Sequence, residues 1–136
     1  MEWKSYYREA ADYSKAAKGA SHKKTLGNLV IYNVVAMSIE NYMTCLLMKT
    51  GFIPEHSSIS GMHRELKKLY EVPETFQSEV RFMNHFMNFC SLEVAPVIVP
   101  TDEEVVRMLG FMTSLETWIV ASLAIESKQN QIQLLN

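Results

Sequence analysis

Apolar residues dominate one long stretch of the chain, Leu26 to Lys49 (LGNLVIYNVVAMSIENYMTCLLMK), and recur around most of a helical circumference. Val30, Val34, Met37, Ile39, Met43, Leu46 and Leu47 are assigned to the wide apolar arc. Asn33, Glu40, Asn41 and Thr44 form a narrow polar stripe. Such a helix belongs at the centre of a bundle, touching every other long helix. Asn28, Asn33, Glu40 and Asn41 interrupt the run too often for a membrane span. Gly51 and then Pro54 follow it, the order of a left-handed C-cap and a stop.

The remaining elements follow from the same periodicity. Trp3, Tyr6, Tyr7, Ala10 and Ala17 return to one face of a first helix, Glu2 to Lys18, which Gly19 is expected to end. Ser21 then stands as N-cap of the central helix. Ser57, Ser58 or Ser60 caps a third helix through Tyr70, with Met62, Leu66 and Leu69 or Tyr70 toward the core. Pro73 and Glu74 open a fourth helix through Cys90. It carries one stripe of Phe76, Val80, Met83, Met87 and Cys90, and a second of Phe82, Phe86 and Phe89. Residues 91–100 read as an extended connector, with Val97, Ile98 and Val99 lying across the bundle. Thr101 and Glu104 are spaced as a capping box at the head of a last long helix. Val105, Leu109, Met112, Leu115, Trp118, Ile119 and Leu123 form its buried side, and the pattern decays over residues 127–136.

Together these patterns define an all-α, antiparallel up-and-down bundle of four to five helices. The 136 residues, 48% hydrophobic and 21% charged, fit a single domain over residues 1–136. The amino terminus lacks an apolar leader, so the cytoplasm is the expected compartment. Cys45 and Cys90 fall in apolar helical pattern, as reduced buried thiols do. Two aromatic stripes and Trp118 offer more apolar surface than one chain of this size covers, which predicts a homodimer.

Candidate chemistry is sparse. No glycine-rich phosphate loop, HExxH, CxxC or GxSxG occurs, so neither a cofactor nor a metal is expected. His22, His56 and His63 read as surface or capping residues. Arg81, His85 and Asn88 share one helical face, where the arginine suits a phosphate and the imidazole a proton transfer. The alternative is the solvated side of an amphipathic helix. Glu40, amid Asn33, Asn41 and Thr44, reads either as a lone satisfied hydrogen-bonding group or as part of a polar cleft shared with Arg81 and His85. No Asp or Glu occurs from Tyr13 to Ile39, and the lysines Lys15, Lys18, Lys23 and Lys24 mark a patch for an anion or an acidic partner, or merely a solvated corner. A net charge of -2 argues against a generally nucleic-acid-coated surface and leaves local patches open.

The segment IENYMTCLLMKTGFIPEHSSISGMHREL, residues 39–66, resembles the HEPN family (higher eukaryotes and prokaryotes nucleotide-binding domain) through Leu46, Leu47, Gly51, Pro54, His56, Ile59 and Leu66. Residues 100–119, PTDEEVVRMLGFMTSLETWI, look like the family's closing helix. The resemblance implies a helical bundle, often a homodimer, among RNA-cleaving toxins and partners of small nucleotidyltransferases in toxin–antitoxin systems. Ribonuclease members hold an arginine and a histidine further apart than Arg81 and His85, which have three residues between them. Many relatives also have an arginine-tyrosine-proline sequence where this chain has Cys90-Ser91-Leu92. Both departures favour a non-catalytic nucleotide-binding or partner protein over a divergent, metal-independent ribonuclease. A purely structural helical homodimer is the third reading.

Overall fold

Small side chains set the first packing event. The computed structural model describes residues 2–54, 58–86, 98–125 and 128. Helix α1, Glu2–Lys23, buries Ala10, Ser14, Ala17 and Ala20. It runs along α2, Asn28–Lys49, with the buried Ser38 hydroxyl donating to the Ala10 carbonyl across 2.8 Å. A row of alanine and serine lets the two backbones come close, and that packing carries α1 through Gly19, where a stop was expected. The helix ends instead at Lys23. Thr25 N–H donates to Ala20 and Lys24 N–H to Ser21, the paired bonds of a Schellman cap, with Lys24 at φ 53° where glycine usually sits.

Extending α1 corrects the reading of the basic junction. His22 and Lys23 occupy the last turn of α1, where the helix dipole favours cations, and not the first turn of α2. The N-cap of α2 is Gly27, without a side-chain cap, rather than Ser21. Asn28 ties this end to the start of the last helix, donating to the Pro100 carbonyl and to Asp102 Oδ1 at 3.0 and 2.8 Å. At the other end Gly51, at φ 82°, completes the expected left-handed cap, with Phe52 N–H donating to Leu47.

Helix α2 buries Ile31, Tyr32, Val35, Ile39, Tyr42, Met43, Leu46 and Leu47. Val30 and Met37, assigned to the core from the sequence, are 46% and 41% exposed. They share the exposed face with Asn33, because seven residues make nearly two whole turns. By length and composition α2 is the one helix among the described residues able to cross a membrane, yet 56% of its apolar window is buried within the bundle, as for the core helix of a globular fold.

Helix α3, Ile59–Leu69, is capped by Ser58, whose hydroxyl accepts from Gly61 N–H. Its core side carries Ile59, Met62, Leu66 and Leu69. A turn through Pro73 and Glu74 precedes α4, Phe76–His85. This helix is shorter than expected, and Met87, Asn88, Phe89 and Cys90 lie outside the described residues. Helix α5, Asp102–Leu123, opens on the expected capping box: Thr101 accepts from Glu104 N–H, and Glu104 accepts from Thr101 N–H. Removing it with Thr101→Ala is expected to lower stability by about 1 kcal/mol, read as a shift in the urea midpoint at constant slope. Ile98 and Val99 in the connector are exposed rather than packed across the bundle.

The central position of α2 holds against α1, α3 and α5, but not against α4, which packs on α3 and α5. Tyr32 reaches the end of α4 through Phe86, with ring centroids 5.6 Å apart. Of the aromatic residues that suggested self-association, Phe76 and Phe86 are buried and Phe82 and Trp118 half-buried within the chain, while Phe89 lies outside the described residues. Phe76 packs edge-on to Phe111 and Trp118, Trp118 meets Tyr70, and the Arg107 guanidinium lies 4.0 Å from the Phe82 ring centroid. Glu79 holds that guanidinium through two carboxylate contacts at 3.0 Å.

One polar network joins α1, α2 and α5. Tyr42 donates its hydroxyl to Glu116, and Lys18 pairs with the same carboxylate at 3.4 Å. Burial pushes the Glu116 carboxyl up, but the Tyr42 hydrogen bond and the Lys18 charge more than offset this and hold it below the usual range. A carboxylate depressed in the folded state contributes stability above its unfolded pKa and loses it on acidification. Wild type is therefore expected to exceed Glu116→Gln by about 1 kcal/mol at neutral pH, the solvent-exposed Lys18 adding little. Urea unfolding below the normal carboxylate range should show the two proteins converging.

Candidate anion-binding groove

Helices α3 and α4 are joined by a short connection and lie side by side, so polar residues flanking their apolar stripes face one another. Between them is a concavity of about 210 Å³ lined by Ser60, His63, Arg64 and Lys67 from α3 and by Gln77, Val80, Arg81 and Asn84 from α4. On α4, Gln77, Arg81 and Asn84 stand at i, i+4 and i+7, which places them on one edge of the helix. On α3, Ser60, His63, Arg64 and Lys67 repeat at intervals of three and four.

Among the described residues three of the eight lining side chains are cationic and none is acidic, on a chain whose net charge is -2. Arg64, Lys67 and Arg81 are all exposed, and none forms an ion pair among the described residues. Lys67 is positioned by Gln77, to whose Oε1 it donates across 3.0 Å. The groove therefore offers two guanidiniums, an ammonium, two amides and a hydroxyl to one anion. His63 is only 3% exposed, which corrects its reading as a surface residue. Burial, with the Lys67 charge second, holds its imidazole below the ordinary histidine range.

The residues proposed from sequence are only partly brought together. Arg81 lines the groove; His85, one position beyond Asn84, does not, and its ring sits edge-on to Phe86 at 5.2 Å. Asn88 lies outside the described residues, as does His56. Glu40 is half-buried on α2; burial pushes its carboxyl up, and its charge raises the neighbouring Tyr32 phenol to about 12 as a smaller addition to that phenol's own burial. Glu40 does not line the α3–α4 groove.

The lysine patch also divides. Lys18 is turned toward Glu116, while Lys15 and Lys23 are exposed along α1. Lys24 lines a separate cavity of about 430 Å³ with Ser21, Leu26, Asn28, Ile31, Asp102, Val105 and Val106, where Asp102 supplies an opposing charge. Cys45 is buried, and desolvation pushes its thiol up to about 12, so it is not a nucleophile near neutral pH. Among the described residues no group of three or more histidine, cysteine or carboxylate side chains is placed to hold a metal ion.

Arg64, Lys67 and His63 escaped the sequence reading because their site exists only where α3 meets α4. A signal for His63 was present: it lies four residues after Ile59 and three before Leu66, both core positions.

No family model matches this sequence, and no curated protein does. The fold is similar to the crystal structure of an archaeal HEPN homologue, with a TM-score of 0.68 and 14% sequence identity over 89% of this chain and 97% of that one. The bundle formed by the five helices among the described residues is thus HEPN-like in fold.

Proposed function

We propose that this protein is a non-catalytic, HEPN-like binding protein whose α3–α4 groove holds a phosphate-bearing, nucleotide-like ligand. The observation that carries the reading is the set Arg64, Lys67 and Arg81 around one concavity, with no acidic side chain lining it among the described residues. A histidine that moves a proton in RNA cleavage must reach the reacting hydroxyl. His85 lies outside the groove lining and His63 is only 3% exposed, which favours binding over cleavage. Self-association and pairing with a second protein, such as a nucleotidyltransferase in a toxin–antitoxin arrangement, belong to the same proposal through the HEPN-like fold.

Calorimetric titration of AMP into wild type and Arg81→Ala tests the reading. Wild type should bind, the variant about tenfold more weakly, and both more weakly at high salt. An oligoribonucleotide incubated with wild type should remain intact. Equal responses of the two proteins, or no heat from either, would return the groove to the status of a solvated surface; cut RNA would favour the divergent ribonuclease.

A further inference from the structure

The shape of the groove and the side chains it lacks restrict what part of a ligand can enter. A concavity of about 210 Å³ is below the roughly 300–1,000 Å³ of sites that enclose a whole drug-sized ligand. It corresponds to about seven waters at roughly 30 Å³ each. Among the described residues no aromatic side chain except the His63 imidazole lines it, and that ring is almost fully buried, so it presents no open face on which a base can stack. The only aliphatic lining residue is Val80. Three cations and no acid are more charge than a single phosphodiester balances and suit a dianion.

Resting on the binding role proposed above, we infer that the α3–α4 groove seats a terminal phosphate, the dianion of a phosphomonoester, with the rest of the ligand outside, and that His63 takes up a proton when the phosphate enters. His63 is the most buried polar side chain of the lining. The titratable groups that line the groove beside it are Arg64 and Lys67 from α3 and Arg81 from α4. Glu65 stands about 200° further around α3. Helix α2, packed on α3 through the contact of Thr44 with Met62, carries Glu40, Tyr42, Cys45 and Lys49, none of which lines the groove. Burial first, and the Lys67 charge second, disfavour the protonated imidazole. A dianion opposes that charge. The proton comes from solvent, no bond in the ligand is broken, and by linkage the affinity rises as pH falls through the interval between the free and bound pKa values of His63.

Binding is measured with AMP, ribose 5-phosphate, the diester ApA, a 5′-phosphorylated RNA hexamer and its unphosphorylated form, and inorganic sulfate. AMP and ribose 5-phosphate are expected to bind within about twofold of each other and at least about tenfold more tightly than ApA. If the hexamer gains at least as much from its 5′-phosphate, an RNA end is the ligand's source; if only the small esters bind, a free nucleotide or sugar phosphate is. Sulfate stays a dianion over the range used, so its own ionisation adds nothing, and its affinity should rise between about pH 8 and about pH 5.5 as His63 takes up a proton. His63→Gln should flatten that dependence. Should the variant fold poorly, proton uptake by wild type, read from binding heats in buffers of different ionisation enthalpy, gives the same answer.

ApA binding as well as AMP, or sulfate binding without proton uptake, overturns this inference and leaves a phosphate-binding groove standing. No binding of any of these anions to wild type overturns both.

Discussion

Leu46→Ala is expected to lower the stability of the folded chain by about 3 kcal/mol, whereas Met37→Ala on the same helix should change it by no more than about 0.5 kcal/mol. Leu46 is 0% exposed in the core that α2 builds with its neighbours. Truncation leaves a cavity that surrounding side chains, held by close packing, only partly fill. Met37 is 41% exposed on the opposite face and touches little that depends on its side chain. Against a total of roughly 5–15 kcal/mol for a domain of this kind, the first loss is large. Urea unfolding of both variants checks it, and equal effects would mean that α2 is not the centre of the bundle.

The second large effect concerns binding. Replacing Arg64, Lys67 and Arg81 together with alanine should lower the affinity for AMP by at least about a hundredfold, since each charged hydrogen bond contributes about 1.5–3 kcal/mol and the three are not fully additive. All three side chains are exposed, so the fold should lose little, within about 1 kcal/mol. The salt dependence of whatever binding remains should flatten, because the charges that compete with counterions are gone. The double variant Lys15→Ala and Lys23→Ala removes two exposed cations of α1 and should leave affinity within about twofold. A loss of similar size in both proteins would show that general charge, not the groove, attracts the ligand.

The parts of this fold legible in the sequence are those decided locally. Thr101 and Glu104 form a capping box because both partners lie within one turn, and Gly51 caps α2 because its left-handed conformation suits few other residues. The apolar excess of α2 likewise identified the core helix, though not which side of it faced solvent. Where long-range packing decided, local signals misled. Gly19 reads as a stop, but the row Ala10, Ser14, Ala17 and Ala20 against α2 carries the helix past it. The displaced helix end then reassigned His22 and Lys23 from one helix start to another helix end, and the charge that had appeared misplaced became favourable.

The groove shows the same division. Arg81 is legible in the sequence as part of the polar side of α4, and the structure sets Gln77 and Asn84 beside it. That this side faces Arg64, Lys67 and a buried His63 depends on how α3 and α4 lie together, which no periodicity within either helix encodes. The sequence allows Glu40 either a lone satisfied place or a cleft shared with Arg81 and His85, and Glu40 and Arg81 in fact belong to surroundings set by different helix contacts.

The central claim, that the α3–α4 groove is where the ligand binds, is tested most directly by amide chemical-shift mapping of AMP on the isotopically labelled protein. The largest shifts are expected at Ser60, His63, Arg64, Lys67, Gln77, Arg81 and Asn84, with saturable dependence on AMP concentration. Shifts centred instead on Lys15, Lys23 and Lys24, or on residues around the cavity at the start of α2, would contradict it.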